Sequence, residues 1–286
     1  MRRVCVGLMT FVTAIGVASA VHAADVTFRH ASLLGVRYNE LGLGVFSDTG
    51  FRRSLFSGDS LLLQGTYLEG GVVTQLSPAN LHPGLYVELV PLAVWKTRFS
   101  IQKVQYFGVL GSMQSVTPDD WSPERIEAND DAGRYARVGG STFTLQQTLR
   151  AKVGPVVASV VGAWQRFHFD VDGPVYEAVN EVPFAPNDDL FTLKATLGYT
   201  VFGQPQTPDS LIVAALFDTL RTEALDVRRQ TFAGALLWKP PATLWSTGNP
   251  TLAGITGVFL DDRYRTGEPY FAAALAVEFL KPYGAP

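Results

Sequence analysis

The chain has 286 residues, 47% apolar, 12% aromatic and 17% charged, a balance too apolar and too sparsely charged for a disordered protein. A formal net charge of −3 offers no basic surface for nucleic acid. One cysteine and three methionines exclude a disulfide scaffold, a zinc cluster and an iron–sulfur site, and no cofactor is expected.

Met1-Arg2-Arg3 is a short basic region, Val4 to Val21 an uncharged apolar run, and Val21-His22-Ala23 before Ala24 a small-residue cleavage site. Residues 1–23 read as a secretory signal peptide, whose removal also takes away Cys5. Losing Arg2 and Arg3 takes the 23 basic residues to 21 against 26 acids, a net charge of −5. Residues 24–40 follow as a periplasmic lead-in or an irregular first strand. No later apolar run is long enough for a spanning helix, Leu85 to Trp95 and Val153 to Ala163 each being about half the need.

From Leu41 onward the pattern is that of strands. Leu41 to Leu55 and Leu61 to Leu76 come first, then Gly84 to Tyr106, whose odd positions are nearly all apolar while Glu88, Lys96, Arg98 and Gln102 share the even face. Ser141 to Arg150 sets Phe143, Leu145 and Leu149 against threonines, Gln146 and Arg150. Val156 to Phe169 is less clean, but Asp189 to Phe202 alternates Phe191, Leu193, Ala195, Leu197, Tyr199 and Val201 with Thr192, Lys194, Thr196 and Thr200. Leu211 to Thr219, Thr231 to Trp238, Leu252 to Asp261 and Tyr270 to Phe279 complete ten strands, longer than a soluble β-sandwich needs. The expected fold is all-β, a transmembrane antiparallel up-and-down barrel over 41–286. Lipid would meet the apolar faces and a polar lumen the others. Trp95, Trp164, Tyr199 and Trp238 are candidates for interfacial girdles.

Connection lengths supply a second test. Gly108 to Arg134 and Asp170 to Asp188 are the two longest; Ser77 to Gly84, Gly154-Pro155, Gly203 to Asp209 and Pro240 to Pro250 are short and rich in glycine or proline. With the last strand ending in the periplasm, the four short ones are assigned to the periplasmic side and the two long ones to the outside.

Signal peptide, alternating strands, asymmetric loops and a last strand ending Val277-Glu278-Phe279 together resemble Gram-negative outer-membrane β-barrel proteins. The resemblance implies the outer membrane as location, outer-membrane lipid and lipopolysaccharide as surroundings, and the barrel-assembly machinery as a partner during biogenesis. Phe279 is followed by seven further residues, a departure from barrels that end on the aromatic. The implied role is structural, narrow-channel or surface-interacting, and non-enzymatic.

Candidate sites fall into three groups. Glu88, Lys96, Arg98, Arg150, Lys194 and Glu278 are expected on inward faces, where charges of both signs would pair and fill the lumen. Asp119, Asp120, Asp130 and Asp131 in one long loop, with Asp170 and Asp172 in the other, offer hard-cation ligands without an EF-hand spacing. His168 and Asp170, with Asp188 and Asp189 opening the neighbouring strand, form the alternative of a rim hydrolase. A His–Asp pair at an outer rim is similar to that of the omptin proteases, but no second aspartate pair stands at the matching place, so no catalytic residue carries over. Outer-membrane phospholipase and lipid A deacylase use serine with histidine; Ser159 and Ser210 have no histidine at their depth. His30 falls in the lead-in and His82 in a proline-flanked turn, both read as solvent-exposed.

Overall fold

The computed structural model describes residues 26–39, 42–56, 60–110, 112–117, 120–205, 207–245 and 248–283. Residues 1–23, expected from the sequence to be a signal peptide, and Asp119 lie outside them. Twelve long strands form one closed antiparallel sheet: β1 (Val26–Tyr38), β2 (Gly42–Ser54), β3 (Tyr67–Leu76), β4 (Asn80–Leu92), β5 (Trp95–Phe107), β7 (Arg137–Val153), β8 (Val156–Phe169), β11 (Asn187–Phe202), β12 (Ser210–Thr222), β13 (Arg228–Lys239), β14 (Thr251–Asp262) and β15 (Pro269–Pro282). Each strand pairs with the next long strand in sequence, and β1 pairs with β15 in a register running from Thr27 opposite Pro282 to Tyr38 opposite Phe271. Closure pairs every strand on both sides, the condition for a sheet to sit in hydrocarbon. Between β5 and β7 lie β6 (Met113–Ser115) and α1 (Pro123–Asp131), and between β8 and β11 lie β9 (Val175–Glu177) and β10 (Val182–Phe184); β10, β9 and β6 form a separate small sheet.

The count is twelve, not ten, for two reasons. Residues Val26–Tyr38 are a first strand, one of the two expectations for 24–40, but a regular one that closes the barrel. Gly84 to Tyr106 is a hairpin, β4 and β5 joined through Ala93-Val94. No Asn-Gly or Asp-Gly pair marks that turn; the register shift between Leu89 and Leu92 accommodates Pro91, which has no N–H to give the ladder. One uncounted reversal changes the end at which every earlier connection lies. Residues 77–79 are therefore at the same end as the two long loops, opposite to the assignment from sequence, while 154–155, 203–209 and 240–250 share the end at which β1 begins and β15 finishes.

The wall is two-faced. Leu34, Leu43, Val72, Leu85, Ile101 and Leu197 are exposed large apolar side chains on its outer surface. Phe28, Phe51 and Tyr283 make an edge-to-face aromatic series outside the end where the first strand starts, and Trp95, Tyr199 and Trp238 lie toward that end of their strands. Leu197 and Thr196 illustrate the alternation, opposite Ala158 and Ser159 on β8. A charge facing hydrocarbon near the midplane costs about 2–4 kcal/mol, whereas one facing the lumen meets water and polar groups. Leu197→Lys is expected to impair folding into lipid vesicles by that amount and Thr196→Lys to be far milder; urea titration in vesicles measures the difference, and equal losses would contradict the two-faced wall.

Candidate functional site

Three features could carry function: the lumen, the mouth with the long loops, and a polar break in the outer wall. In the lumen, β1 to β5 and β15 project a continuous ionic network. Arg29 bonds Glu69 at 3.1 Å and Glu278 at 2.6 Å; Arg52 reaches the other Glu69 oxygen at 2.8 Å; the Tyr86 hydroxyl donates to Glu69 at 2.5 Å. Arg98 grips Asp48 through two nitrogens at 2.6 and 2.8 Å, and Glu88 is held by Lys96 at 3.2 Å and by the Tyr67 hydroxyl at 2.5 Å. Glycine at 50 is required, since a Cβ there would lie 2.6 Å from the Gly70 carbonyl and 2.8 Å from the Tyr86 hydroxyl. Glu88, Lys96, Arg98 and Glu278 thus meet in one network. Lys194 pairs separately with Asp218 at 3.1 Å on a wetter wall, and Arg150 bonds the Ala93 carbonyl at the rim. Asp48, Glu69, Arg29 and Arg52 complete the network; the sequence reading missed them because their strands do not alternate cleanly.

Glu69 is fully buried among cations, so removing it takes away the carboxylate that Arg52 pairs with and leaves Arg29 to Glu278 and Asp48. Breaking a buried pair by deleting one partner costs about 3–5 kcal/mol, while an exposed pair such as Lys194–Asp218 is worth about 0–1 kcal/mol. Glu69→Ala should therefore lower the urea midpoint in detergent markedly and Lys194→Ala hardly at all.

At the opposite end the two long loops fold inward. Val104, Tyr106, Val138, Phe167, Phe169, Leu190 and Leu220 from the strand ends pack with Met113, Trp121, Val175, Tyr176, Val182 and Phe184 of the loops in one apolar core. Ser122 caps α1, and Trp121 just before it stacks on Tyr176 at 6.3 Å and meets Tyr264 edge-on at 4.9 Å. The turn between β9 and β10 reaches across the mouth: Phe184 packs on Phe167 of β8 at 4.7 Å, while Glu181 is held by Arg37 of β1 at 2.7 Å, Arg229 of β13 at 3.0 Å and Arg265 at 2.9 Å. In strand order β1 and β8 are six steps apart in a ring of twelve, diametrically opposite. The hairpin is therefore a bridge over the full diameter.

Beneath the bridge Glu177 is completely buried and accepts from the Tyr106 hydroxyl, from the backbone N–H of Val179 at 2.9 Å and from that of Asn180 at 2.8 Å. Burial pushes its carboxyl up from the usual range, and these hydrogen bonds pull it partly back. A raised acid favours its protonated form on folding, so its contribution is full below the ordinary carboxylate pKa, about 4.3, and is lost as pH rises through the folded value. Hydrogen exchange of residues 170–186, corrected for intrinsic rates, should show protection declining over that window and a flatter profile in Glu177→Gln; an unchanged profile would contradict the assignment.

The rim constellation is divided between the two faces of the wall, with His168, Asp170 and Asp189 on the outer side and Asp188 on the inner. His168 faces outward, bonded to Asn187 at 2.7 Å with Asp170 at 3.5 Å, both side chains largely exposed. Asp188 is buried on the other face and accepts from the backbone N–H groups of Ala185, Glu223 and Ala224, and Asp189 lies 3.6 Å from Arg166. Of the acidic loop residues, Asp120 lies 3.9 Å from Arg125, while Asp130, Asp131 and Asp172 are exposed. Among the described residues no three His, Cys, Asp or Glu side chains are grouped to hold a metal. His82 is buried on the inner face of β4, edge-on to Tyr106 at 5.3 Å, not exposed in a turn.

The outer wall breaks its apolar pattern at β1 and β2. His30, on the face opposite Arg29, has Nδ1 2.8 Å from the Thr49 hydroxyl and Nε2 3.0 Å from the Ser32 hydroxyl, and Ser47 lies 3.4 Å beyond Ser32. The signal was present as His30-Ala31-Ser32, two polar residues two apart and hence on one face of any strand.

No family model and no curated protein matches the chain. Among solved structures it is similar to the β domain of the Bordetella autotransporter BrkA, with 13% identity, a TM-score of 0.46, and 90% of this chain and 99% of that one covered. It is also similar to LpxR from Salmonella typhimurium, at 9% identity, TM-score 0.39 and 87% and 99% coverage, and to an anion-selective porin from Comamonas acidovorans, at 8%, 0.36, and 90% and 99%. The class is read from the chain's own wall: a closed twelve-strand sheet with an apolar exterior and a charged interior is a β-barrel of the outer-membrane type.

Proposed function

We propose that the protein is an outer-membrane barrel that is closed to solutes in its resting state, a wall element whose lumen is braced by ion pairs and whose outer mouth is bridged by its own loops. The supporting observation is the β9–β10 bridge, tied to β8 by aromatic packing and to β1 and β13 by arginines on Glu181. The end where β1 begins and β15 finishes is the periplasmic one, as in bacterial barrels, where the longer loops are extracellular. The rim-hydrolase alternative loses support because His168 and Asp188 lie on opposite faces of the wall.

Glu181 is nearly fully buried, and its three arginine partners make it the pin of the bridge. In planar bilayers the unaltered protein should show no steady conductance and Glu181→Ala should open frequently. Steady conductance in the unaltered protein, equal to that of Glu181→Ala, would contradict a closed resting state.

A further inference from the structure

We propose that Ser32, His30 and Thr49 form a nucleophile, base and orienter on the lipid-facing wall, and that the site hydrolyses acyl esters of glycerophospholipids. His30 Nδ1 lies 2.8 Å from the Thr49 hydroxyl and Nε2 3.0 Å from the Ser32 hydroxyl; with the proton on Nδ1 the Thr49 oxygen accepts from it and Nε2 accepts from Ser32, the arrangement of an activated serine. Either tautomer makes both contacts hydrogen bonds, and the one we assign is protonated at Nδ1. Polar side chains facing hydrocarbon are costly, and this wall otherwise presents mainly apolar side chains such as Leu34, Val72 and Phe99, with one further hydrogen-bonded polar group where Gln147 accepts from Thr97 and Trp95. Here a serine, a histidine and a threonine occupy two paired strands at half-buried positions open to the outside.

The depth fits an ester. Phe28, two residues before His30, belongs to the aromatic series with Phe51 and Tyr283, and Phe279 stacks on the His30 ring. Aromatic belts lie at the headgroup level, and two residues of strand advance about 7 Å. The site thus begins just inside the belt, where headgroup gives way to acyl chain. The backbone is held from behind: Arg29 and Asp48, which alternate with His30 and with Ser47 and Thr49, are locked in the lumen network. Preorganisation of this kind is what a nucleophile and base require.

The chemistry balances with water as the only co-reactant. Ser32 Oγ attacks the ester carbonyl carbon as its proton passes to His30 Nε2. Collapse breaks the bond from carbon to the glycerol oxygen, which takes the proton from Nε2 and leaves as the lysophospholipid alcohol. Water then attacks the acyl-serine, giving its proton to Nε2; the fatty acid departs and the proton returns to Ser32. This inference rests on the lipid-facing wall and not on whether the mouth is closed.

The full-length chain, reconstituted in vesicles of phosphatidylethanolamine and phosphatidylglycerol, tests it. Fatty acid release is expected from the unaltered protein, with losses on the order of 10³-fold or more in Ser32→Ala and His30→Gln, a smaller loss confined to kcat in Thr49→Val, and none in Ser159→Ala. An alkyl fluorophosphonate should form an adduct on Ser32 in the unaltered protein, a readout independent of whether any variant folds. Properly folded protein, judged by faster migration unheated than boiled, that releases no fatty acid and takes no adduct on Ser32 would overturn the proposal, as would full activity in folded Ser32→Ala.

Discussion

Glu69 bonded at once to Arg29, Arg52 and Tyr86 is the contact on which the rest of the wall depends. It joins four consecutive strands, β1 to β4, and through Arg29 and Glu278 it crosses to β15, where the barrel closes. Charges in a lumen are individually unprofitable once desolvation is counted, yet a network in which each member has partners on several strands specifies one register, because a slip of one residue would turn every charge into the lipid. The same ions that fill the interior thus fix the exterior.

The mouth obeys a related logic with different materials. Loop backbone over a barrel must find partners or water, and here it is organised by side chains that point inward from the rim. Asp188 collects three backbone N–H groups from the loop before it and the turn after β12, and Glu177 collects two from its own turn. Arg37 donates to the carbonyls of Ala178 and Val179, and Arg229 to that of Asn180. Acids that in the sequence look like solvated loop surface are therefore the internal hydrogen-bond acceptors of a folded bridge.

How much of this was legible in the sequence follows from the period of two. β11 and β15 alternate without interruption, so their lipid and lumen faces, including Lys194 and Glu278, could be read directly. β1 could not, because its outward face carries His30 and Ser32 while its inward face carries Leu33, inverting the expected polarity. The turn at Ala93-Val94 lacked a turn signature, and that omission changed both the strand count and the side of residues 77–79. The arginine partners of Glu181, the Tyr106 hydroxyl on Glu177 and the Glu223 and Ala224 N–H groups on Asp188 are distant in sequence and left no local trace. Places where local rules fail tend to be functional, and one such failure in the outer wall is the stretch that sets a histidine beside a serine.

Both the network and the lipid-facing site require β1 to close the barrel in the observed register, with Val36 opposite Ala273 on the outer face. The chain outside residue 5 has no cysteine, so paired cysteines at 36 and 273 report on that contact alone. In folded, vesicle-inserted protein the pair is predicted to oxidise to a disulfide that locks the first and last strands, while cysteines at 36 and 277, four residues out of register, stay reduced because such strand positions are too far apart to bridge. Oxidation of the offset pair, or of neither, would contradict the closed register from which the account is built.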